Sequence, residues 1–121
     1  MRSQATVALL VISSWASERV LHNFGSGTDG QNAQSSLILD ASPDLYGTTY
    51  AGGSHGLGIV FETSPNGSGG WTESVLHSLG QGLDGSTPAG VGLVLDGSGN
   101  LYGPTSAGGS HDEGTVFELT P

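Results

Sequence analysis

The sequence contains no cysteine and no lysine, and two arginines are its only permanently charged cations. The absence of cysteine excludes disulfide frameworks, thiolate zinc sites and cysteine nucleophiles. Against the two arginines stand 11 acidic residues, which give a formal net charge of −9 and a pI near 4.3. A surface of this charge repels phosphate backbones, so no binding to nucleic acid is expected.

Long apolar runs are also lacking. No stretch approaches the roughly 20 apolar residues that cross a bilayer as a helix, so no membrane span is expected. Near the N-terminus, the apolar run from Thr6 to Ile12 precedes small residues that end at Ala16. Residues 1–17 are therefore interpreted either as a signal-like segment or as an extra β-strand.

Glycine is abundant, with 22 glycines and 5 prolines in 121 residues. Glycine interrupts every window long enough to show the 3.6-residue period of an amphipathic helix. The sequence therefore predicts an all-β fold made of short strands and many turns.

An internal repeat organises the chain. Glu18–Gly30 aligns with Glu73–Gly85, and Leu37–Pro65 aligns with Leu93–Pro121. Identical residues occupy 8 of 13 positions in the first pair of segments and 18 of 29 in the second. We divide the chain into a first repeat, residues 18–65, and a second repeat, residues 66–121, each expected to form one blade.

Four short strands are predicted in each repeat. In the second repeat they are Ser74–Leu79, Gly92–Asp96, Asn100–Thr105 and Gly114–Thr120, with glycine-rich turns between them, including one over residues 80–88. Four strands in a repeat of this length are typical of a β-propeller blade. The prediction is thus two four-stranded β-propeller blades per chain.

Three stretches of the second repeat carry a family resemblance. Asn100–Thr105 (NLYGPT), Gly114–Leu119 (GTVFEL) and Trp71–His77 (WTESVLH) resemble the GloVer tandem repeat, and the likeness covers residues 18–121. That family consists of bacterial proteins with many such repeats, often secreted and carrying a cell-surface anchoring tail. The resemblance implies a propeller-like fold and an extracellular or cell-surface location, and it implies no particular activity.

Two blades cannot close a ring, because propellers typically contain 4 to 8 blades. We expect Arg19–Phe24 to be an outer strand that completes the blade ending at Pro121 in a neighbouring copy. The prediction is a ring completed by homo-oligomerisation, with three or four protomers in head-to-tail contact. The alternative is that the chain is a piece of a longer propeller.

Two short stretches place side-chain oxygens at alternate positions, as the start of a calcium loop does. They are Asp40, Ser42 and Asp44 in the first repeat, and Asp96, Ser98 and Asn100 in the second. The twelfth positions, however, are Ala51 and Ala107, so the bidentate carboxylate of an EF-hand is missing. Either these are tight turns or they form weak calcium sites, and no other cofactor is expected.

Six further residues are candidates for binding a ligand: Trp15, Trp71, Asp29, Asp84, His55 and His111. The tryptophans could stack on a sugar ring or pack against a blade. The aspartates each precede a glycine and could serve turn geometry alone. The histidines of the chain form two repeat-equivalent pairs, His22 with His77 and His55 with His111. In a ring they could bind a metal, but hydrogen-bonded loop or strand histidines are the simpler interpretation.

No nucleophile elbow or phosphate-binding loop occurs in the sequence. Close repetition also argues against a single active site, which needs asymmetry. The sequence therefore predicts a non-enzymatic β-propeller scaffold or interaction module, exported from a bacterium, whose main partner is a further copy of itself. The alternatives are a multivalent lectin with one weak glycan site per blade, and a hydrolase with an acidic central site.

Overall fold

The computed structural model describes residues 17–90 and 92–121. All the regular secondary structure in these ranges consists of β-strands, so the all-β prediction is confirmed. These residues contain no helix that is long and apolar enough to cross a membrane. The signal-like segment or strand predicted over residues 1–17, with Trp15, lies outside the described residues except for Ser17.

The first sheet is four strands wide and antiparallel. β1 (Gln31–Ala33) and β2 (Ile38–Leu39) lie end to end along one edge of β3 (Leu45–Ala51). β4 (Ile59–Pro65) pairs with the other edge of β3, and β5 (Trp71–Ser78) is the outer strand beside β4. The edge position beside β3 is thus filled by two short strands, β1 and β2. The outer strand at the opposite edge, β5, comes from the second repeat.

The second sheet repeats this arrangement but is three strands wide. β6 (Gly85–Pro88) and β7 (Val94–Leu95) lie along one edge of β8 (Leu101–Gly108). β9 (Thr115–Leu119) pairs with the other edge of β8. Among the described residues, no strand pairs with the outer edge of β9.

The predicted strands of the second repeat overlap β5, β7, β8 and β9, but the turn predicted over residues 80–88 is partly wrong because it contains β6. β8 continues to Gly108, beyond the predicted end at Thr105, and this extension is the partner of β6. β6 contains Gly85 and Pro88, residue types that are depleted in strands, so propensity predicts a turn there.

The segment Arg19–Phe24, predicted to be an outer strand of a neighbouring copy, has no regular secondary structure within the chain, and its pairing with another copy stays a prediction. Its repeat equivalent is a strand in β5, where β4 supplies a partner. An extended segment becomes a stable strand only when its backbone groups are paired. The lack of a pairing partner within the chain therefore accounts for the missing strand.

The main apolar core lies between the two sheets. Val60 on β4 is fully buried and packs with Leu93 and Leu101 of the second repeat. Ile38 and Tyr46 of the first sheet contact the same cluster. The two sheets therefore pack face to face through one junction, and no closed ring of sheets forms within the part of the chain that is described.

Glycines at the centre of each sheet let an aromatic ring lie across the backbone. A Cβ on Gly47 would approach Phe61 Cζ to 2.9 Å, and a Cβ on Gly103 would approach Phe117 Cζ to 2.9 Å. No real Cβ tolerates such contacts without a shift of its neighbours. The repeat therefore conserves this glycine and phenylalanine as one packing unit in both sheets.

The packing of Val60 between the two sheets predicts how its truncation changes the free energy of unfolding. We expect Val60→Ala to lower the free energy of unfolding by about 2 kcal/mol, because it removes two buried methyl groups and leaves a cavity. Leu83→Ala is the control, because Leu83 is 72% exposed and its truncation should change stability by less than about 0.5 kcal/mol. Urea unfolding followed by circular dichroism measures both. Equal effects of the two variants would contradict the position assigned to the core.

Candidate functional site

A histidine and an aspartate meet at the same place in each repeat. His22 Nε2 lies 2.9 Å from Asp29 Oδ2, and His77 Nε2 lies 2.9 Å from Asp84 Oδ2. Each aspartate stands in the loop that precedes the first strand of a sheet. The interpretation of His22 and His77 as hydrogen-bonded histidines therefore agrees with the structure.

In the first repeat, the aspartate also organises its own loop. Asp29 Oδ1 accepts hydrogen bonds of 3.0 Å from the backbone N–H groups of Gly25 and Ser26. Burial raises the pKa of Asp29, but these hydrogen bonds and the one to His22 outweigh it and bring the pKa below its ordinary value. Asp29 is therefore held as a carboxylate facing the imidazole.

A third group joins the first pair from the other repeat. Glu73 on β5 has its carboxylate near His22 and Asp29, and one ligand atom from each residue lies within 4.8 Å of the other two. Glu73 Oε2 is buried without a hydrogen-bond partner, and burial raises the pKa of this carboxyl group. One imidazole nitrogen and two carboxylate oxygens are donors that could hold a divalent metal ion. This is the one such group among the described residues.

The second recurring cluster is built on an aspartate turn. Asp96 Oδ1 accepts the backbone N–H groups of Ser98 and Asn100, both at 2.9 Å. Asp96 Oδ2 accepts the Asn100 side-chain amide at 2.9 Å and the Tyr102 hydroxyl at 3.0 Å. Hydrogen bonds from Asn100, Ser98 and Tyr102 lower the pKa of Asp96 to about 2.

The first repeat forms the same turn. Asp40 Oδ1 accepts the backbone N–H groups of Ser42 and Asp44 at 2.9 and 2.7 Å, and Asp40 Oδ2 accepts the Tyr46 hydroxyl at 2.9 Å. The hydrogen bond from the Asp44 N–H is the largest cause that lowers the pKa of Asp40. These bonds engage the carboxylate oxygens that a calcium ion would need. The geometry favours the turn interpretation, and calcium binding stays a prediction.

Each tyrosine of these turns stands between two carboxylates. The Tyr46 hydroxyl lies 2.9 Å from Glu62 Oε2 as well, and the Tyr102 hydroxyl lies 2.8 Å from Glu118 Oε2. Burial and then the Glu62 hydrogen bond raise the pKa of Tyr46, and Glu118 is the main cause that raises the pKa of Tyr102 to about 12. Both phenols therefore stay protonated and link the turn to the strand carrying the glutamate.

The remaining candidates do not converge on one site. Trp71 is half-buried at the start of β5, while Asp84 pairs with His77 near the end of that strand. At about 3.3 Å per residue, the two ends of β5 lie on the order of 20 Å apart. His55 and His111 are exposed in the loops after β3 and β8.

None of the glutamates in these clusters was among the site residues predicted from the sequence. Glu73 repeats Glu18, and Glu118 repeats Glu62, so internal identity was the signal that could have identified them. Their partners lie in other strands, however, and only the strand register brings Glu62 opposite Tyr46 and Glu73 opposite Thr63.

The Asp96 turn makes a pH prediction. Because the folded pKa of about 2 lies below the ordinary value of 3.8, Asp96 stabilises the fold above about pH 4, and this stabilisation is lost as the pH falls towards 2. We expect Asp96→Asn to lower stability at pH 7, since its amide cannot accept from both Asn100 and Tyr102, and to remove part of the fall below pH 4. Asp112→Asn in an exposed loop is the control. Urea midpoints between pH 2 and 7 measure the effect, and parallel curves for all three proteins would contradict it.

A second prediction concerns calcium. Because the oxygens of Asp40 and Asp96 already accept internal hydrogen bonds, we expect the same melting temperature in calcium chloride and in EDTA. Differential scanning calorimetry in the two buffers, at equal ionic strength, measures this. A melting temperature that rises by several degrees with calcium would instead support the calcium interpretation.

Comparison with known proteins gives one family match. The profile described as the Gloeobacter/Verrucomicrobia repeat matches residues 11–121. No curated protein and no solved structure matches the chain.

Proposed function

Because the chain belongs to the Gloeobacter/Verrucomicrobia repeat family, we propose that it is a non-enzymatic β-propeller module that joins further copies of itself into an exported scaffold. The family assignment confirms the resemblance found in the sequence. Assembly is proposed because some residues at equivalent positions of the two repeats differ strongly in burial.

The main observation in favour of self-association is that two equivalent valines differ in solvent exposure. Val60 on β4 is 0% exposed, whereas its repeat equivalent on β9, Val116, is 83% exposed. Val60 is covered because the second sheet lies against it, through Leu93 and Leu101. Val116 points from the far face of the second sheet, against which no described residue packs in this way. An aliphatic side chain so exposed at the centre of a strand favours an interaction surface.

The complementary surface lies on the first sheet. Leu37 and Leu45 are the repeat equivalents of Leu93 and Leu101, and Leu37 is 54% exposed whereas Leu93 is 6% exposed. Leu37, Leu45 and Phe61 line an apolar groove of about 260 Å³. The groove and Val116 are the repeat equivalents of the two sides of the junction between the two sheets of the chain, where Val60 packs against Leu93 and Leu101.

A second copy placed by the same relation would bury Val116 against Leu37 and Leu45. Such a contact is heterologous, because it joins different surfaces of the two copies, and it forms a ring if the rotation closes. Burial of one valine contributes about 2 kcal/mol, and the leucines of the groove add to this. Self-association is therefore favoured by surfaces already shaped for each other.

The polar clusters also support a structural role. The His–Asp pairs and the Asp–Tyr–Glu links occur in both repeats, and each holds a loop or turn in place through side-chain hydrogen bonds. Groups that recur in this way stabilise each blade alike, whereas a single catalytic centre would need one repeat to differ. Export is proposed from the family resemblance alone.

The mass in solution tests the assembly. Light scattering on a sizing column should give three or four times the 12.1 kDa of one chain, which corresponds to six or eight blades. The reason is that every copy buries both the face carrying Val116 and the groove lined by Leu37 and Leu45 only when the ring closes. A folded species of 12.1 kDa over the whole accessible concentration range would contradict the proposal.

A matched pair of variants identifies the apolar contact. We expect Val116→Asp to shift the mass towards that of one chain, because a carboxylate would be buried against leucine. Leu83→Asp carries the same charge change at a loop residue that is 72% exposed, and it should leave the mass unchanged. Circular dichroism spectra should agree for both variants. Equal masses for the two would show that Val116 is not at the contact.

A further inference from the structure

Among the described strands, β9 has the one unpaired edge that the repeat predicts to be paired. In the first sheet, β5 pairs with β4 from Ile59 opposite Ser78 to Pro65 opposite Trp71. We propose that residues 18–23 of a second copy form the missing strand of the second sheet, antiparallel to β9. This rests on the proposed function in taking a second copy as the occupant.

The repeat supplies the pairing on both sides. Residues 18–23 (ERVLHN) repeat residues 73–78 (ESVLHS) of β5, and β9 (TVFEL) repeats residues 59–63 (IVFET) of β4. The partners in the first sheet therefore define the register between copies. Glu73 lies opposite Thr63, so Glu18 of the second copy lies opposite Leu119.

Residues 18–23 are suited to strand addition. They carry no regular secondary structure, so strand pairing does not occupy their backbone groups, and Val20 is 61% exposed. The end of the segment is nevertheless held in place, because the Phe24 ring packs edge-on against Phe61 at 4.9 Å between centroids. A segment positioned in this way loses less conformational entropy when it pairs with an exposed strand edge.

Charge complementarity supports the register. In the first sheet Ser74 lies opposite Glu62, and the equivalent positions between copies are Arg19 and Glu118. Both side chains are exposed in the single chain, where the Arg19 guanidinium donates to the Gly69 carbonyl. Arg19 is the only lysine or arginine among the described residues, and this register places it opposite a carboxylate. Opposite charges across antiparallel strands are stabilising.

The same register completes a polar cluster. In the first repeat Glu73, which comes from the outer strand, lies beside the His22–Asp29 pair. The equivalent pair is His77–Asp84, and the equivalent outer-strand glutamate is Glu18 of the second copy. Each junction between blades would then contain one histidine, one aspartate and one glutamate, whether it lies within a chain or between chains.

Disulfide trapping tests the register, because the chain has no cysteine of its own. Arg19→Cys and Glu118→Cys are made in separate chains, mixed and oxidised. Side chains directly opposite each other in antiparallel strands are close enough for a disulfide, so we expect a band at twice the 12.1 kDa chain mass that reducing agent removes. Arg19→Cys mixed with Glu113→Cys, a cysteine in an exposed loop, is the matched control. A mixed disulfide that forms no faster than in this control overturns the proposal.

The trapping result is independent of the mass measurement. A mass of several chains without the Arg19–Glu118 disulfide would leave the assembly standing and overturn the strand pairing. A disulfide specific to this pair, with a wild-type mass of one chain, would support the pairing and contradict the stable ring. The two proposals can therefore fail separately.

Charge reversal provides a second measurement. We expect Arg19→Glu to weaken association, because it places two carboxylates opposite each other, and the double variant R19E/E118R to restore it. The double variant R19E/E113R has the same net charge but the wrong register, and it should stay weakened. Dissociation constants from light scattering at several concentrations measure all three. Rescue by Glu113→Arg equal to that by Glu118→Arg would overturn the register.

Discussion

The structure depends on one constraint, which is that each extended segment needs a neighbour for its backbone hydrogen bonds. β5 meets it by pairing with β4, although the two strands belong to different sequence repeats. This crossing joins the repeats, because the first sheet cannot reach its full width without a strand from the second. It also explains why residues 18–23, whose sequence closely resembles that of β5, form no strand within the chain.

The inclusion of β5 in the first sheet also determines where the apolar surfaces lie. With β5 in the first sheet, the chain contains one complete junction, in which Val60 packs against Leu93 and Leu101. The repeat equivalents of these residues lie exposed on the outer faces, with Val116 at one end and Leu37 at the other. Equivalent residues of the two repeats thus have different environments, because the repeats occupy different positions along the chain.

Much of the fold could be predicted from the sequence because the repeat doubles each signal. Tyr102 and Phe117 recur with their glycines at a fixed offset, which reveals the strands without any alignment. β6 was missed because it contains Gly85 and Pro88, which favour turns, and because its partner is the extension of β8 to Gly108. Of the site, the aspartate turns were predictable from local spacing. The contact of Glu73 with the His22–Asp29 pair was not, because it depends on the register of β5 against β4.

Association of an acidic chain must overcome its own charge. Each copy has a formal net charge of −9, so copies repel one another, and at physiological salt this repulsion is screened beyond about 8 Å. What remains is repulsion at the contact itself, and the internal junction limits it because its buried members, Val60, Leu93 and Leu101, are all aliphatic. In the proposed contact Val116 meets an apolar groove, and Arg19, the one arginine among the described residues, lies where Glu118 approaches. The proposed contact repeats the internal junction, so it brings apolar groups and one pair of opposite charges together although each copy carries a net negative charge.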